Sequence, residues 1–579
     1  MTALMGSSGA GKTTLMDVMA SRKTGGNIGG EVLVNGQPKQ KSFSRLIGYV
    51  EQMDIHSPHA TVFEALMFSA ALRQPKSIPY KEKEKFVDNV MTTLELDPLA
   101  NWEIGYKSSG GLSTEESKRV TIGVELAANP SVLFCDEPTS GLDSRAAAVV
   151  MNGIRRVAKS GRTVICTIHQ PNRAIFEAFD KLLLLRRGGR MVYFGDLGDH
   201  SQQLVSYLES IPGTKPLPNL KYNPATYMLE VIGAGTSSSG LLDYAHEYCV
   251  SDLKKQNEAK IEEILKEDLS KGSGSTDISD YASSFITQQH ELMLRFFRTY
   301  WRSPTYNLSR YVVVAVMALL WGGTFFKALQ GPYDPSVSAS AVGIIFNAVV
   351  FIGVINVSTT MPFIMAERAP YYRERASKMY AATPYGIAIT LAELPYLVGT
   401  SIFFMIIYYF MIGFFDDAST FFLFWFMFFL YITQATFFGQ MLAVLLPSEQ
   451  VASIVMGLCS SLWSLFAGFM IAVRDVSEFW QFMTFVVPTR YTLNAMVAIQ
   501  FYCPCSPGID NQCTSSISLG CNSFVLEDSN TTITVWEYLE LQYGFTNNVY
   551  VDMAAVILFV IVWRILFFVG LAYVSHLKR

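Results

Sequence analysis

The stretch Gly6-Ser7-Ser8-Gly9-Ala10-Gly11-Lys12-Thr13-Thr14 decides the fold of the first half of this chain. It fits G-x-x-x-x-G-K-[ST], in which backbone N–H groups of a tight glycine loop surround phosphates at a helix N-terminus. In that pattern Lys12 holds the β- and γ-phosphates and Thr13 the Mg²⁺. Apolar Ala3-Leu4-Met5 before the loop and Leu15-Met16-Asp17-Val18-Met19 after it predict the strand–loop–helix setting it requires. Farther on, Val132-Leu133-Phe134-Cys135 reads as an apolar strand ending in Asp136-Glu137, which places two acids at the carboxyl edge where α/β sheets bind ligands. Asp136 suits Mg²⁺, and Glu137 suits orientation of an attacking water. An α/β P-loop nucleotide hydrolase is expected.

Outward from this site the composition changes. The 579 residues are 50% hydrophobic and 16% charged, which is too apolar for an ordinary soluble protein. Lys and Arg number 45 against 49 Asp and Glu, a formal charge of -4, so no global basic field exists to hold nucleic acid. Up to about residue 294, short apolar runs alternate with charged helix-like stretches; beyond Arg295 come long stretches with few charges. A helix of about 20 residues crosses a bilayer core of about 30 Å. Six spans are expected, at about 308–329, 337–364, 384–413, 419–446, 451–472 and 552–574, in an all-α membrane domain covering 295–579. The expected cassette covers 1–232, and 233–294, rich in Gly and Ser at 233–240 and 271–280, reads as linker and connecting region.

Arg295, Arg298, Arg302 and Arg310 precede the first span, and Arg368, Arg373, Arg375 and Lys378 lie between the second and third. Short cytoplasmic loops are enriched in such residues, so these segments, and Lys578 and Arg579 after the last span, are expected inside. The loop at about 474–550 is then outside. It holds Cys503, Cys505, Cys513 and Cys521, as an oxidising compartment permits, with three possible pairings, and the sequon at Asn530. Glu393 and Arg564 fall inside expected spans and should face protein or water.

With its phosphate loop and acidic strand end, the chain resembles an ATP-binding-cassette (ABC) protein, and further motifs follow in that family's order. Gln52 looks like the glutamine linking Mg²⁺ and water to the membrane part; Ser113, within Leu112-Ser113-Thr114-Glu115-Glu116, occupies the signature position; Asp143 closes a D-loop; and His169 resembles the switch histidine that contacts the γ-phosphate. A cassette preceding the spans is the order of the G subfamily. The segments 136–143, 118–125 and 367–380 resemble its pleiotropic-drug-resistance branch, in which two such halves are fused, this chain looking like the second. The resemblance implies ATP and Mg²⁺ (at Thr13, Gln52 and Asp136), a bilayer, a second non-identical half and a hydrophobic small-molecule substrate.

Two departures matter. Thr114 and Glu115 replace the signature's glycines, which puts bulk and a carboxylate where the family brings a helix N-terminus to the partner's γ-phosphate. A homodimer is therefore expected to hold two impaired sites, and pairing with an intact half to give one competent site. Only five residues precede Gly6, whereas the family has earlier strands and an adenine-stacking aromatic, so a truncated form is expected.

By the same resemblance, Glu367, Arg368, Arg373, Glu374 and Arg375 belong to a coupling helix. A substrate cavity is expected near Ile352, Ile355, Asn356, Thr359, Ser460, Ser461 and Ser464, with Phe469 and Met470 at an apolar valve. The leading expectation is an ATP-driven exporter at the plasma membrane. A membrane-anchored ATP-binding regulatory half, whose partner carries the activity, is the alternative. A soluble repair or chromosome-segregation ATPase is excluded by the spans.

Overall fold

The computed structural model describes residues 1–23, 25–34, 36–39, 43–106, 110–219, 221–233, 242–268, 280–504, 518–526 and 532–576. The chain divides into two compact units, one of Met1–Arg295 with Pro370–Ala381, the other of Phe296–Ala369 with Ala382–His576. The expected positions Cys505, Cys513, Asn530, Lys578 and Arg579 lie outside the described residues.

In the first unit the strands are β1 (Thr2–Gly6), the small hairpin β2 (Leu33–Val34) and β3 (Gln37–Pro38), β4 (Ile47–Val50), β5 (Val132–Asp136), β6 (Thr163–Thr167), β7 (Lys181–Arg186) and β8 (Arg190–Asp196). Six of them form one sheet in the order β4-β5-β6-β1-β7-β8, parallel except for β8, which runs antiparallel to β7. Strands β1 and β5 are unbroken apolar runs because helices cover both faces of a parallel sheet; Ala3, Leu4, Leu133 and Cys135 are fully buried. Register sets Thr167 on β6 opposite both Leu4 of β1 and Asp136 of β5, which gathers three carboxyl strand ends at one edge. Behind that edge lies Glu125, which accepts from Arg73 at 2.7 Å and from the Tyr49 N–H at 3.2 Å. Burial opposes its charge, but Arg73 and the more distant Arg373 and Arg22 hold the carboxyl below its ordinary range.

The second unit is built of long helices: Pro304–Thr324, most of Pro335–Ala376, Ala382–Ile412, Ala418–Leu445, Glu449–Leu465, Pro488–Phe501 and Val549–Tyr573. Among the described residues, four are long and apolar enough to cross a membrane: Pro335–Ala376, Ala382–Ile412, Ala418–Leu445 and Val549–Tyr573. The first and fifth expected spans differ from these. Pro304–Thr324 opens with two polar turns that include Arg310, and the helix expected to reach 472 stops at Leu465, ahead of Gly468 at φ +95°. The second expected span does not end at 364 either. Its helix runs to Ala376, through the segment read as a separate coupling helix, because alternating charged and apolar residues let one helical face stay buried past the apolar run.

The described residues of the segment 474–550, expected as an outer loop, include helices Gln481–Val486, Pro488–Phe501 and Val535–Tyr543. Pro488–Phe501 is too short to cross a bilayer, yet Leu493, Ala495, Met496, Val497 and Phe501 join the helices' apolar core. Gln500 seats it, accepting from the Phe415 N–H at 3.1 Å and donating to Tyr409 Oη at 3.0 Å. Of the three pairings the sequence left open, the structure contains Cys503–Cys521, 18 residues apart. Replacing both by serine is expected to lower stability by roughly 3 kcal/mol through the unfolded chain's regained freedom. Melting of the serine pair at the wild-type midpoint would show that the bridge constrains nothing.

Candidate functional site

Strand β1 ends at Gly6, where φ is +155° and a Cβ would lie 2.2 Å from the Leu185 carbonyl oxygen, so only glycine fits. Gly9 and Gly11 then adopt left-handed φ of +75° and +89° with open space above them, and the helix Lys12–Met19 starts from Gly11. The loop so formed is a concave nest of backbone N–H groups with room for an anion. Ser7 Oγ is buried there without a partner. Ala10 is fully buried beneath the loop, and Thr14 belongs to the first turn of the helix. Lys12 Nζ donates to the Gly6 and Ser7 carbonyls at 3.0 and 3.1 Å. Burial lowers its pKa, against the pull of Glu137 and Asp136.

At the neighbouring strand ends, Thr167 Oγ1 donates to Asp136 Oδ1 at 2.7 Å and accepts from the Glu137 N–H at 2.8 Å. Thr13 Oγ1 donates to the same Asp136 oxygen at 3.2 Å. Burial raises the pKa of Asp136, the two threonine hydroxyls oppose that rise, and Glu137 adds to it. Added cationic charge at this point would stabilise the carboxylate. Among the described residues no three His, Cys, Asp or Glu side chains converge. A divalent cation would therefore be held by Asp136, the Thr13 hydroxyl and the phosphates themselves, the hard-oxygen set that suits Mg²⁺.

Glu137 sits at φ +46°, an uncommon backbone for a non-glycine residue and one that tight packing must hold. Its Oε2 accepts from Gln52 Nε2 at 2.9 Å. His169 and Gln170, the latter at φ +48°, line one open cleft of about 610 Å³ together with Ser8, Glu137, Ser140 and Gly141. Asp143, read as the end of a D-loop, caps the helix Ser144–Lys159 through the Arg145 and Ala146 N–H groups at 2.9 and 2.8 Å.

Ser113 lies outside the residues lining that cleft. It caps the helix Thr114–Leu126 in a capping box with Glu116, each accepting from the other's N–H, while Glu115 turns along the helix to Arg119 at 3.4 Å. The helix N-terminus thus already has partners for two of its N–H groups. Sequence reasoning missed Thr167; its position at the end of the apolar run Thr163-Val164-Ile165-Cys166 was the available signal.

The residues read as a substrate cavity divide by helix face. Ile352 and Asn356 are buried inside the unit, where Asn356 Oδ1 accepts from Arg310. Ile355 and Thr359 are half-buried, Thr359 donating to its own helix's Ile355 carbonyl at 2.9 Å. Ser460 and Ser464 line a cleft with Val350, Gly353, Val354 and Val357, Ser461 is exposed, Phe469 packs 5.0 Å from Phe346, and Met470 is exposed. Glu393 is fully buried and paired with Arg310 at 2.6 Å; Arg564 donates to Gln440 and stacks over Phe437.

The residues read as coupling also divide. Glu367 and Arg368 lie in the second unit, where Glu367 is buried and Arg368 donates to the Ala443 and Leu446 carbonyls at 3.0 and 2.8 Å. Arg373, Glu374 and Arg375 lie in the first, with Glu374 paired to Arg295 at 2.6 Å and Arg375 beside Tyr371.

Comparison with known proteins matches residues 1–140 to the ABC transporter family model and 287–501 to the ABC-2 type transporter model. "Pleiotropic drug resistance protein 1" of Nicotiana tabacum is 44% identical over 505 residues, covering 86% of this chain and 35% of its own length. "ABC transporter G family member 40" of Arabidopsis thaliana is 40% identical over 587 residues, covering 100% of this chain and 39% of its own length. "ABC transporter G family member 36" of Oryza sativa subsp. japonica is 45% identical over 508 residues, covering 86% of this chain and 34% of its own length. The chain thus spans little more than a third of the curated relatives it matches.

Proposed function

Because the chain belongs to the ABC transporters of the G family, we propose that it supplies an ATP-hydrolysing cassette and a membrane domain to an exporter of hydrophobic or amphipathic small molecules. One observation carries this reading: Thr13, Asp136, Glu137 and Gln52 meet beside a phosphate loop at one sheet edge, in a chain whose other unit holds four bilayer-length apolar helices.

In this reading the loop's N–H groups and Lys12 seat the phosphates of ATP, and Thr167 holds Asp136 and the Glu137 backbone in place. Mg²⁺, when bound, supplies charge neutralisation between the phosphates. Glu137 orients a water against the γ-phosphorus and takes its proton as ADP leaves, with Gln52 fixing the carboxylate. His169, in the same cleft, contacts the γ-phosphate. The second half of the machine is a non-identical one, fused or separate, in the plasma membrane, with the cassette and both termini cytoplasmic. Substrate contact falls on the face that carries Ser460 and Ser464, where this chain alone encloses only about 10 Å³, so the substrate's space is one shared with the second half, and apolar area with a few hydroxyls favours broad selectivity. The test is flux of an amphipathic dye into proteoliposomes containing the complete assembly. ATP-driven accumulation is expected, and accumulation indifferent to ATP would overturn the proposal.

The alternative, a regulatory half whose partner carries activity, is favoured by Thr114, Glu115 and the self-satisfied capping box. It yields a prediction. Placing glycine at both positions (T114G with E115G) is expected to raise ATP turnover of a homodimeric preparation about ten-fold or more, since it removes side-chain bulk and a carboxylate from the helix N-terminus that must approach charge developing at phosphate. An unchanged rate would show that this signature is not what limits the site.

A further inference from the structure

A chain of polar contacts within the first unit leaves the hydrolytic carboxylate in the direction away from the nucleotide. Gln52, which holds Glu137 through its side chain, accepts from Lys118 Nζ at 2.8 Å through its backbone carbonyl. Lys118, on the helix that follows the signature, is almost wholly buried and pairs with Asp54 at 3.0 Å. Thr121, one turn along, donates to Asp54 Oδ1 at 2.7 Å or to the Ser117 carbonyl at 2.9 Å, and its oxygen lies 2.9 Å from His56 Nε2. His56 Nδ1 in turn lies 2.9 Å from Arg373 Nη1, which is farther, 3.4 Å, from Nε2. Arg373 is buried on the last turns of the helix Pro335–Ala376, whose earlier residues form the second expected span.

Proton accounting fixes the state of the imidazole. The Thr121 hydroxyl has one proton, and both of its other neighbours, a carboxylate and a carbonyl, can only accept. With that proton on one of them, His56 Nε2 can complete the Thr121 oxygen only as a donor, an assignment that the contact at its other nitrogen decides. Arg373 has only donors, so His56 Nδ1 must be the acceptor. The neutral Nε2–H tautomer alone satisfies both ends. Its surroundings agree: burial first, then the cations Arg373, Lys118 and Arg295, push the imidazole pKa well below its usual value, with Asp54 engaged by Lys118 and Thr121 and Glu374 by Arg295.

We propose that His56, as the neutral Nε2–H tautomer, is a positioning residue that joins the Gln52 loop and the signature helix to Arg373, so that displacement of Gln52 at the nucleotide site is delivered to the end of the second membrane helix. It makes no contact with nucleotide or substrate; it acts through Arg373. The inference rests on the transport reading above and adds to it the residue through which hydrolysis and flux are tied.

The experiment uses the complete transporter in proteoliposomes, with ATP turnover, dye flux and melting temperature measured together for wild type, His56→Leu, His56→Gln and Arg373→Met. For His56→Leu, basal turnover is expected within two-fold of wild type, with dye transported per ATP falling about ten-fold. Glutamine offers one acceptor and one donor and should recover at least half of the lost coupling. The double variant His56→Leu with Arg373→Met should be no worse than either single one. Wild-type dye per ATP in His56→Leu would overturn the proposal, and so would equal loss of turnover, flux and melting temperature in the leucine and glutamine variants. Should His56→Leu fail to fold, Arg373→Met carries the same expectation and the same refutation. Wild-type vesicles that hydrolyse ATP without moving solute would overturn the transport reading and this inference together, whereas coupled wild type with a coupled His56→Leu removes the inference alone.

Discussion

In the assembled transporter, Glu137→Gln is expected to lower ATP turnover by about two to four orders of magnitude while nucleotide still binds. The size follows from what the group does: phosphoryl transfer to water needs little beyond positioning and neutralised charge, and Glu137 alone combines a place in the cleft with a free carboxylate edge to orient water. The shape argues for a clean variant. Glutamine keeps the left-handed backbone at this position, the Thr167 contact to the main chain and a side-chain oxygen for Gln52, so the fold should be undisturbed. Turnover and nucleotide binding would be measured on the same membranes. Activity surviving the change would place the water-positioning group elsewhere and remove the assignment built on strand β5.

The second large effect belongs to the membrane domain. Glu393 is wholly buried and accepts from Arg310 at 2.6 Å, Tyr300 at 2.7 Å and Tyr306 at 2.9 Å, with Gln440 at 3.4 Å. Desolvation penalises both charges, and only their pairing and the surrounding hydroxyls offset it. Removing one member is therefore much worse than removing both. Glu393→Leu should cost about 3–5 kcal/mol by leaving Arg310 uncompensated, whereas the apolar pair Arg310→Met with Glu393→Leu should cost far less. Denaturation midpoints in micelles for the two singles and the double give the coupling energy directly. A double variant as damaged as the sum of its singles would mean that the two residues act independently.

How much of this was legible differs between the two units. The phosphate loop and the acidic end of β5 could be read from the chain because each is a local pattern whose chemistry depends on neighbours a few residues away, whereas His169 was picked out only through resemblance to a family. Gln52, Glu137 and His169 converge at one edge because parallel strands from distant parts of the sequence put their carboxyl ends together, which the apolar strand runs already implied. Thr167 was legible only as a strand end, since a threonine there gives no sign of which carboxylate lies across the sheet. Helix faces were the weaker part. Asn356 looked like a polar group lining a cavity, but its partner, Arg310, lies 46 residues away on another helix, and only packing sets which side of a helix is enclosed. The pairing of Cys503 with Cys521 was one of three that spacing could not rank.

The sequence by itself determined the two kinds of solvent in which the halves fold, the nucleotide chemistry and the order of its motifs, because composition, periodicity and short loops act over a few residues. Tertiary structure alone decided the buried pairing of Arg310 with Glu393, the continuation of one long helix through the segment read as a separate element, and the tautomer of His56. In each case the deciding partner comes from a remote part of the chain, and the energy of a buried charge or hydrogen bond depends on who that partner is.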